Sequence, residues 1–504
     1  MKISCFLFST ATAIVLVAPL HAQDKPARIP AGYTAEKVET PEGVSLGVGG
    51  MEFAPDGSLI LCTREGEVWK YVISQKQWSL FADGLHESLG LWIDPKTSET
   101  FVIQRGEITK LVDTNGDGRA DLYQNFNAGW GVTDNYHEYA FGLVRDSKGN
   151  FYGTLNTSLS WPGWARSKKW DLARVWTTGY KDTEGKMGRA AKYRGWCFKV
   201  TPQGKFEPFA SGLRSPAGIG INKDDELFFT DNQGDWEATS SLHHIVKGRF
   251  HGHPSSLWDH PDYKGKDLNA IPLKDYEKLW KRPAVWIPHG ELANSPGEPV
   301  FNYTGGKFGP FEGQMFIGDQ GRSNIMRVSL QKVAGEYQGV IFDFINRLQT
   351  GCIRHVFAED GSLWVGQTGR GWGSAGGKEY GLQRVAWDGT TPFSMHDVKL
   401  TKTGFTITFT KPVDPAMAKE ATNYMVERWG YAYHPRYGSG KTNHKKEAPT
   451  KVTVAKDGRS VHLEVSLEEE RVYKIILKVG VYKAKDETGT ANNTAWYTLN
   501  RLLE

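Results

Sequence analysis

A short apolar phrase recurs along the first 390 residues of the chain. In each copy, an apolar stretch with small residues or glycine is followed by an acidic or glycine-rich turn and then by a second apolar stretch. The copies are Gly50–Leu61, Leu89–Ile103, Ala140–Tyr152, Ala217–Phe229, Phe311–Ile317 and Ile353–Trp364. Short apolar runs between Asp-Gly or Gly-rich turns are typical of β-strands joined by tight turns.

Repetition of this phrase predicts a radial all-β fold. No long amphipathic helical run interrupts the strands, and the repeated phrase has the form of one propeller blade per copy. We therefore predict a six-bladed β-propeller over residues 23–393. The copies are unequally spaced, which places long insertions on loops, the largest at 157–195 and 243–300.

The pattern changes after Asp388-Gly389. Residues 394–504 lack the repeated phrase and instead show alternating strands. These strands are Val398–Leu400, Phe405–Phe409, Lys451–Val454, Val461–Val465, Val472–Lys478 and Trp496–Leu499. A segment of this length and pattern predicts a small Ig-like β-sandwich, with the domain boundary near residues 390–396.

The N-terminus has the form of a secretory signal. Met1-Lys2 is followed by an apolar run from Ile3 to Pro19 and then by Leu20-His21-Ala22-Gln23, which predicts a signal peptide over 1–22 with cleavage after Ala22. The apolar run is too short and too rich in Ser and Thr for a membrane span, and nothing later reaches that length. We expect a secreted or periplasmic protein without a transmembrane segment.

The net charge indicates which class of ligand to expect, and the cysteine content limits the number of disulfides. The chain has 61 Lys and Arg against 57 Asp and Glu, a formal net charge of +4, which gives no support for a nucleic-acid partner and favours small or neutral ligands. Signal cleavage leaves Cys62, Cys197 and Cys352, which permit at most one internal disulfide of undetermined pairing. The insertion at 157–195 is basic and aromatic, which suits either a lid or a contact with a polyanion.

One segment matches a calcium-binding loop. Asp113, Asn115, Asp117 and Asp121 place side-chain oxygens at alternate positions, and Gly118 permits the sharp turn that such a loop needs. The twelfth position is Gln124, so the usual bidentate Glu is missing and the affinity should be lower. The alternative is a metal-free Asp/Asn/Gly hairpin turn.

A group of histidines offers a second candidate for metal binding. The spacing of His251 and His253 suits two imidazoles near one ion, but third and fourth ligands are not evident in the sequence. Hydrogen-bonded histidines in a Gly- and Pro-rich loop are the favoured interpretation. The chain has no dinucleotide fingerprint, phosphate loop or Gly-x-Ser-x-Gly elbow.

Several phrases together resemble a known family. Tyr136-His137-Glu-Tyr-Ala-Phe-Gly-Leu143 resembles the segment of the soluble quinoprotein glucose dehydrogenase and sorbosone dehydrogenase family that carries the catalytic histidine. Gly212-Leu-Arg214-Ser-Pro216-Ala-Gly218 and Thr230-Asp-Asn-Gln-Gly234 resemble its next segment. The resemblance spans about residues 45–390. Secreted sorbosone-dehydrogenase-like proteins of planctomycete-type bacteria also show phrases similar to Arg370–Gly373 and Ala495–Asn500 here.

The resemblance implies a cofactor and three roles. His137 matches the general base, a role that suits an imidazole, while Arg214 and Arg354 match contacts to pyrroloquinoline quinone, and Ca²⁺ would polarise the quinone oxygens. The alternative for each of the three residues is a hydrogen-bonding role at the propeller mouth, and for Arg354 this alternative is the favoured one. The chain departs from the family at two positions. One arginine of a last-blade pair is replaced by Cys352, and no lysine stands in Asp319-Gln-Gly-Arg322, where the family has one facing the quinone.

Three functions follow from these features. The first is a quinone- and calcium-dependent dehydrogenase of a sugar, aldose or polyol, with its site at the mouth of the propeller and an electron-acceptor protein as a partner. The second is a non-catalytic carbohydrate-binding propeller, because 18 Trp and 20 Tyr can stack on sugar faces. The third is an interaction scaffold that docks a partner through its C-terminal sandwich.

Overall fold

The computed structural model describes residues 27–133, 135, 137–158, 191–369, 373–478, 482–486 and 488–504. The predicted signal peptide at 1–22, most of the basic insertion at 157–195 and residues 370–372 lie outside the described residues. Within these ranges, no helix is long and apolar enough to cross a membrane.

Strand β1 (Tyr33–Lys37) begins the described part of the chain, and meander sheets of four antiparallel strands follow it. Each of these sheets keeps its strands in chain order. They comprise β2 (Val48–Phe53), β3 (Leu59–Thr63), β4 (Val68–Val72) and β5 (Gln77–Ala82); β6 (Leu91–Ile93), β7 (Thr100–Ile103), β8 (Ile108–Val112) and β9 (Leu122–Asn127); β10 (Ala140–Arg145), β11 (Phe151–Leu155), β12 (Trp196–Val200) and β13 (Phe206–Ser211); β14 (Pro216–Ile221), β15 (Leu227–Asp231), β16 (Ser240–Ile245) and β17 (Val285–Ile287); and β18 (Pro296–Phe301), β19 (Met315–Asp319), β20 (Asn324–Val333) and β21 (Glu336–Ile345).

The next sheet closes the arrangement into a ring. It contains β22 (Cys352–Phe357), β23 (Leu363–Thr368) and β24 (Tyr380–Trp387), and β1 pairs antiparallel with β24 as its outer strand. The first strands of successive sheets contact one another in chain order, and β22 contacts β2. The chain is therefore all-β and propeller-like, as the repeated phrase predicts. Short helices occupy connections: α1 (Leu273–Leu279), α2 (Pro415–Ala418) and the 3₁₀ turns Ile73–Gln75, Pro254–Asp259, Pro261–Tyr263, Leu268–Ala270 and Ala421–Asn423.

The repeated phrase has a local and a tertiary cause. Its Asp-Gly turns form hairpins; in the first, Asp56 Oδ1 accepts the N–H of Ser58 at 2.9 Å and Gly57 has φ +80°. Its small residues are needed where first strands crowd around the ring axis. A Cβ on Gly90 would lie 1.0 Å from the carbonyl oxygen of Gly142 in the neighbouring sheet, so only glycine fits there.

Each pair of neighbouring ring sheets encloses its own apolar cluster. Between the second and third sheets, for example, Phe101, Phe151 and Phe198 are buried together. Burial of large apolar side chains at every sheet interface supplies the main stabilisation of the ring.

The C-terminal segment forms two further sheets. Its strands are β25 (Met395–Thr401), β26 (Gly404–Phe409), β27 (Tyr424–Tyr431), β28 (Lys441–Glu447), β29 (Lys451–Val454), β30 (Ser460–Glu464), β31 (Arg471–Leu477) and β32 (Thr494–Leu499). One sheet has the order β25-β26-β30-β29. The other has the order β28-β27-β31-β32, and β32 pairs antiparallel with β21, which extends the fifth ring sheet to eight strands.

The ring and the C-terminal segment consequently share a sheet and a core. Val340 and Phe342 of β21 are fully buried in the apolar cluster of the C-terminal sheets. The predicted boundary region at 390–396 covers most of the connection between β24 and β25 and the first residues of β25, and there Phe393 and Met395 are buried. The guanidinium of buried Arg327 donates to the carbonyl of Met395 at 2.8 Å. Neither unit has a complete core alone.

We predict that the full chain unfolds in a single calorimetric transition because of this shared core. Phe342→Ala should lower the stability of both units together, by about 3–5 kcal/mol, the usual cost of truncating a buried Phe. Differential scanning calorimetry tests this, with exposed Tyr303→Ala as the control. Two separate transitions, with only one shifted by Phe342→Ala, would contradict a common core.

Candidate functional site

The axis of the ring is occupied by the side chain of Arg354, which is 2% exposed. Its guanidinium donates to the backbone carbonyls of Gly49, Ala217, Leu89 and its own neighbour Ile353. The Phe141 ring of a further sheet lies under it, with 5.1 Å between the ring centroid and Cζ. These contacts bind Arg354 to backbone groups of the ring, which is a hydrogen-bonding role, and its contact with a quinone stays a prediction.

The Glu298 carboxyl lies near this guanidinium, and the Glu52 carboxyl lies near Glu298. Burial raises the pKa of Glu298 to about 7, with the charge of Arg354 opposing the shift. Burial also raises the pKa of Glu52 to about 7, and the two carboxylates repel each other. The axis therefore holds one fixed cation and two acids that titrate near neutrality.

A cavity of about 420 Å³ opens at one end of this axis. We call this end the mouth. It is lined by residues that precede first strands, such as His137 and Ser215, and by residues that follow second strands, such as Arg64, Asn156 and Asn232. In an antiparallel meander these positions meet at the same end of every sheet, so residues distant in sequence converge on one cavity.

His137 is buried at the mouth in a defined tautomer. Its Nδ1 lies 2.8 Å from the carbonyl oxygen of Thr157, which can only accept, so Nδ1 carries the proton. Its Nε2 then accepts from the hydroxyl of Ser215 at 3.0 Å. Burial and the charge of Arg214 lower the pKa of His137 to about 3, so the imidazole is neutral at neutral pH.

Arg214 lies at the mouth in a buried carboxylate network. Its backbone N–H donates to Asp231 at 2.7 Å and its Nε donates to Asp235 at 3.2 Å. Burial alone would raise the pKa of Asp235. The hydrogen bond to His253 and the charge of Arg214 outweigh burial and hold this pKa well below its usual range. Burial raises the pKa of Asp231 to about 6. The structure thus brings His137 and Arg214 together, as the resemblance implies.

Three further mouth residues are not singled out by the sequence. Arg64 forms an ion pair with Glu87 at 3.1 Å and donates to the Tyr139 hydroxyl at 2.7 Å. Ser215 stands beside Arg214 in the same phrase but has no motif of its own. Tyr437 comes from the C-terminal unit and lines the same cavity. The sequence could have pointed to Ser215, because it follows Arg214 in the matched phrase. It holds no comparable indication for Arg64 or Tyr437.

The mouth also has amide groups that suit a polar ligand. Asn156 donates through Nδ2 to the Ser215 hydroxyl at 3.3 Å. The Oδ1 atoms of Asn156 and Asn232 are buried and have no hydrogen-bond partner among the described groups. Unpaired buried acceptors are costly, and a ligand hydroxyl that donates to them would remove the cost.

The predicted calcium loop lies far from the mouth. It joins β8 to β9, the third and fourth strands of its sheet, and such connections stand at the opposite end of the ring from the mouth. Both carboxylate oxygens of Asp113 accept backbone N–H groups, from Gly116 at 2.7 Å and Gly118 at 2.9 Å. Both oxygens of Asp121 accept from Thr114.

The other two predicted ligands behave similarly. Asn115 accepts the N–H of Asp117 at 2.9 Å, and Asp117 accepts the N–H of Arg119 at 2.8 Å. The loop is a hairpin turn built on side-chain-to-backbone hydrogen bonds. In the part of the chain that the structure describes, no group of three or more His, Cys, Asp or Glu side chains is arranged to hold a metal.

The histidines of 243–260 divide into separate contacts. The Nδ1 atoms of His243 and His251 are 3.4 Å apart, whereas His253 faces Asp235 at 3.4 Å. His251 and His253 therefore point to different neighbours. Cys62, Cys197 and Cys352 are all buried free thiols. At the position of the missing lysine, Gln320 lines the mouth and Arg322 donates to the carbonyl of Gly290.

These residues offer a partial set of contacts for a quinone that carries carboxylates. Arg64 and Arg214 are the charged donors that line the mouth among the described residues. Guanidinium groups recognise carboxylates by paired, charge-assisted hydrogen bonds. The donor set suits binding of an anionic quinone, while the altered positions at Cys352 and Gln320 reduce the number of contacts.

Comparisons with known proteins give limited similarity. No protein-family model matches the chain. One segment is 37% identical over 82 residues to the glycine betaine-binding periplasmic protein OusX of Dickeya dadantii (strain 3937), a match that covers 14% of this chain and 24% of that protein. The chain thus spans about a quarter of the length of that relative.

Solved structures resemble most of the chain at low identity. A glucose dehydrogenase-type oxidoreductase of Thermus thermophilus is 18% identical, with a TM-score of 0.48 over 70% of this chain and 100% of that chain. The PQQ-bound aldose sugar dehydrogenase of Streptomyces coelicolor is 13% identical, with a TM-score of 0.45 over 71% and 99%. The holo PQQ domain of Coprinopsis cinerea pyranose dehydrogenase is 11% identical, with a TM-score of 0.48 over 72% and 97%. Because each TM-score is below 0.5, the fold assignment rests on the observed sheet order alone.

We predict that Arg354→Met destabilises the protein by about 3–5 kcal/mol, because it leaves buried carbonyls without a donor and Glu298 without a counter-charge. Arg354→Lys, which keeps the charge but not the fork of donors, should lose less. Urea denaturation measures both. An unchanged unfolding midpoint in Arg354→Met would show that the side chain serves a ligand rather than the ring.

The Glu298 carboxyl gives a pH prediction. Its pKa of about 7 in the fold exceeds the ordinary value. Its contribution to the free energy of unfolding is therefore fully present below about pH 4.5 and is lost as the pH rises through 7. Glu298→Gln removes this titration, so relative to wild type it should gain about 2 kcal/mol between pH 5 and pH 8. Denaturation at both pH values tests this, with exposed Glu36→Gln as the control. An equal difference at both pH values would refute it.

Proposed function

We propose that the chain is an exported oxidoreductase that oxidises a sugar, aldose or polyol at the mouth of a six-bladed propeller, with pyrroloquinoline quinone as the cofactor. In this proposal each ring sheet is one blade, the C-terminal segment is an Ig-like sandwich, residues 1–22 are the signal peptide, and the protein is secreted or periplasmic. The observation that carries the proposal is the buried, neutral His137 whose Nε2 faces a hydroxyl, that of Ser215, at the mouth.

The geometry of His137 suits a general base. The Thr157 carbonyl holds the proton on Nδ1, so Nε2 presents its lone pair. The Ser215 hydroxyl already donates to that lone pair. A substrate hydroxyl that takes the place of Ser215 would give its proton to Nε2, which is the role of a positioned base in alcohol oxidation.

The low pKa of His137 limits its strength as a base. Burial is the main cause of the low pKa, and the charge of Arg214 lowers it further. A bound carboxylate that pairs with Arg214 would offset this charge and raise the basicity of the imidazole. Ligand binding at Arg214 and proton transfer at His137 would therefore be coupled by the electrostatic interaction between the two side chains.

Different residues of the mouth would bind the quinone and the substrate. Arg64 and Arg214 would hold carboxylates of the quinone, and the bound quinone would accept the hydride of the substrate. The Oδ1 atoms of Asn156 and Asn232, which have no hydrogen-bond partner in the described part of the chain, would accept substrate hydroxyls, which favours a polyhydroxylated substrate. We assign Arg354 to support of the blade ends beneath the site, while its predicted contact with the quinone stays untested.

Calcium remains part of the proposal at the loop of Asp113, Asn115, Asp117 and Asp121. An ion there would replace hydrogen bonds between these side chains and the loop backbone, and it would stabilise the β8–β9 connection rather than touch the mouth. The electron-acceptor protein also stays a prediction.

The second candidate is a carbohydrate-binding propeller without catalysis. The observation that favours it is the pair of unpartnered amide oxygens next to aromatic rings at the mouth, since such a combination binds sugars without any cofactor. The replacement of two family cations points in the same direction. An interaction scaffold has no comparable support at the mouth.

We predict that wild-type protein acquires a quinone absorption band with pyrroloquinoline quinone and Ca²⁺ and then oxidises aldoses or polyols with an artificial acceptor. His137→Ala should keep the band but lose on the order of 10² to 10⁴ in kcat, the usual contribution of a positioned base. Arg214→Ala should instead weaken quinone affinity by roughly 1.5–3 kcal/mol, the range for a hydrogen bond to a charged group.

Two further variants serve as controls for this experiment. His462→Ala, in the C-terminal sheets, should change neither the band nor kcat. Asp117→Ala should leave the band unchanged but abolish any loss of melting temperature caused by a chelator. Saturable sugar binding by a wild type that shows neither band nor oxidation would decide for the binding propeller.

A further inference from the structure

The C-terminal unit reaches the mouth through the connection between β27 and β28, residues 432–440. The N–H of Gly438 donates to the carbonyl of Gly234 at 2.8 Å, and the N–H of Ser439 donates to the carbonyl of Ala238 at 2.7 Å. Tyr437 also forms an isolated β-bridge with Asp235. Backbone hydrogen bonds therefore fix this connection on the loop that follows β15.

The base of the connection is held by an aromatic anchor. Tyr433 is buried, its ring stacks on Trp280 with centroids 4.7 Å apart, and its hydroxyl donates to the carbonyl of Gly252. Gly438 has φ +62°, and a Cβ there would lie 2.8 Å from the Gln233 side chain. The turn that presents Tyr437 thus needs glycine at its next position.

Tyr437 is placed as an exposed aromatic surface at the rim of the mouth. Its side chain is 49% exposed and lines the cavity. The Cζ atom of Arg214 lies 5.4 Å from its ring centroid, so the ring covers one of the cationic groups of the site. Asn232, with its unpartnered Oδ1, and Gln233 line the cavity at the start of the same docked loop.

We propose that Tyr437 is an aromatic platform that binds the apolar face of a pyranose ring, so that the C-terminal unit supplies a sugar subsite at the mouth of the ring. The sugar class rests on the proposed function; the platform rests on the docked connection. A pyranose has a face of C–H groups that stacks on an aromatic ring while its hydroxyl edge reaches acceptors such as Asn232 Oδ1.

This chemistry distinguishes cyclic from open-chain ligands. An open-chain polyol carries the same hydroxyl groups as a sugar but has no rigid C–H face to place against the ring. Loss of the aromatic ring should therefore weaken binding of a pyranose and leave binding of a polyol unchanged. Loss of the tyrosine hydroxyl alone should matter little, because stacking uses the ring.

The test uses the full chain and the variants Tyr437→Ala and Tyr437→Phe, with Tyr303→Ala as a control of similar exposure on another loop. Calorimetric titration gives Kd for D-glucose and for sorbitol, and absorbance gives Kd for pyrroloquinoline quinone. We expect Tyr437→Ala to raise Kd for glucose at least tenfold, with less than twofold change for sorbitol and a smaller loss for the quinone than for glucose. Tyr437→Phe and Tyr303→Ala should stay within twofold of wild type for all three ligands.

Other outcomes overturn the platform. These are an unchanged Kd for glucose in Tyr437→Ala, an equal loss for glucose and sorbitol, a larger loss for the quinone than for glucose, or no glucose binding by wild type. If Tyr437→Ala loses glucose binding but wild type oxidises no sugar, the platform stands and the dehydrogenase function fails. If wild type oxidises glucose but Tyr437→Ala has an unchanged Kd for glucose, the dehydrogenase function stands and the platform fails.

Discussion

The guanidinium of Arg354 at the ring axis is the contact on which the arrangement of the sheets depends. It donates to carbonyls of Gly49, Leu89, Ala217 and Ile353, which belong to four different sheets or the segments that lead into them. The Phe141 ring and the Glu298 carboxylate bring the two remaining sheets into its surroundings. First strands that converge on an axis leave backbone acceptors that no strand can pair, and one planar cation with several donors satisfies them.

The chemistry of the mouth follows from this convergence. Loops before the first strands and after the second strands meet above the axis, so imidazole, guanidinium and amide groups from different sheets share one cavity. Burial then sets their protonation states. It keeps His137 neutral with a pKa of about 3 and raises the pKa of Asp231 to about 6. A site of this kind combines a neutral base with fixed positive charge among buried side chains, where electrostatic interactions are stronger than in solution.

The C-terminal unit is connected to the ring in two independent ways. Strand β32 extends the fifth ring sheet, which places Val340 and Phe342 in a joint core. The connection between β27 and β28 docks on the rim of the mouth and places Tyr437 over Arg214. A shared sheet gives a rigid attachment, since sliding would break a whole ladder of hydrogen bonds. Both attachments therefore hold Tyr437 at the rim of the mouth.

The local pattern of the chain was sufficient for the strands, the Asp-Gly turns and the all-β, propeller-like class, because alternation and turn chemistry act over a few residues. The phrases around His137 and Arg214 also indicated two residues that the structure places together. Sequence alone did not reveal Arg64, Ser215 or Tyr437 as neighbours of His137. It favoured a hydrogen-bonding role for Arg354 but did not show that its partners are backbone carbonyls of several sheets at the ring axis. These relations join residues tens to hundreds of positions apart, and they arise only when sheets close into a ring and a distant hairpin docks on it. The oxygens of Asp113 and Asp121 show the same limit, since their spacing suits a cation while the folded hairpin turns them to backbone N–H groups. Composition and spacing determine which groups are available, and only the tertiary structure decides which atoms they face, because burial and hydrogen-bond partners are set by contacts across the fold.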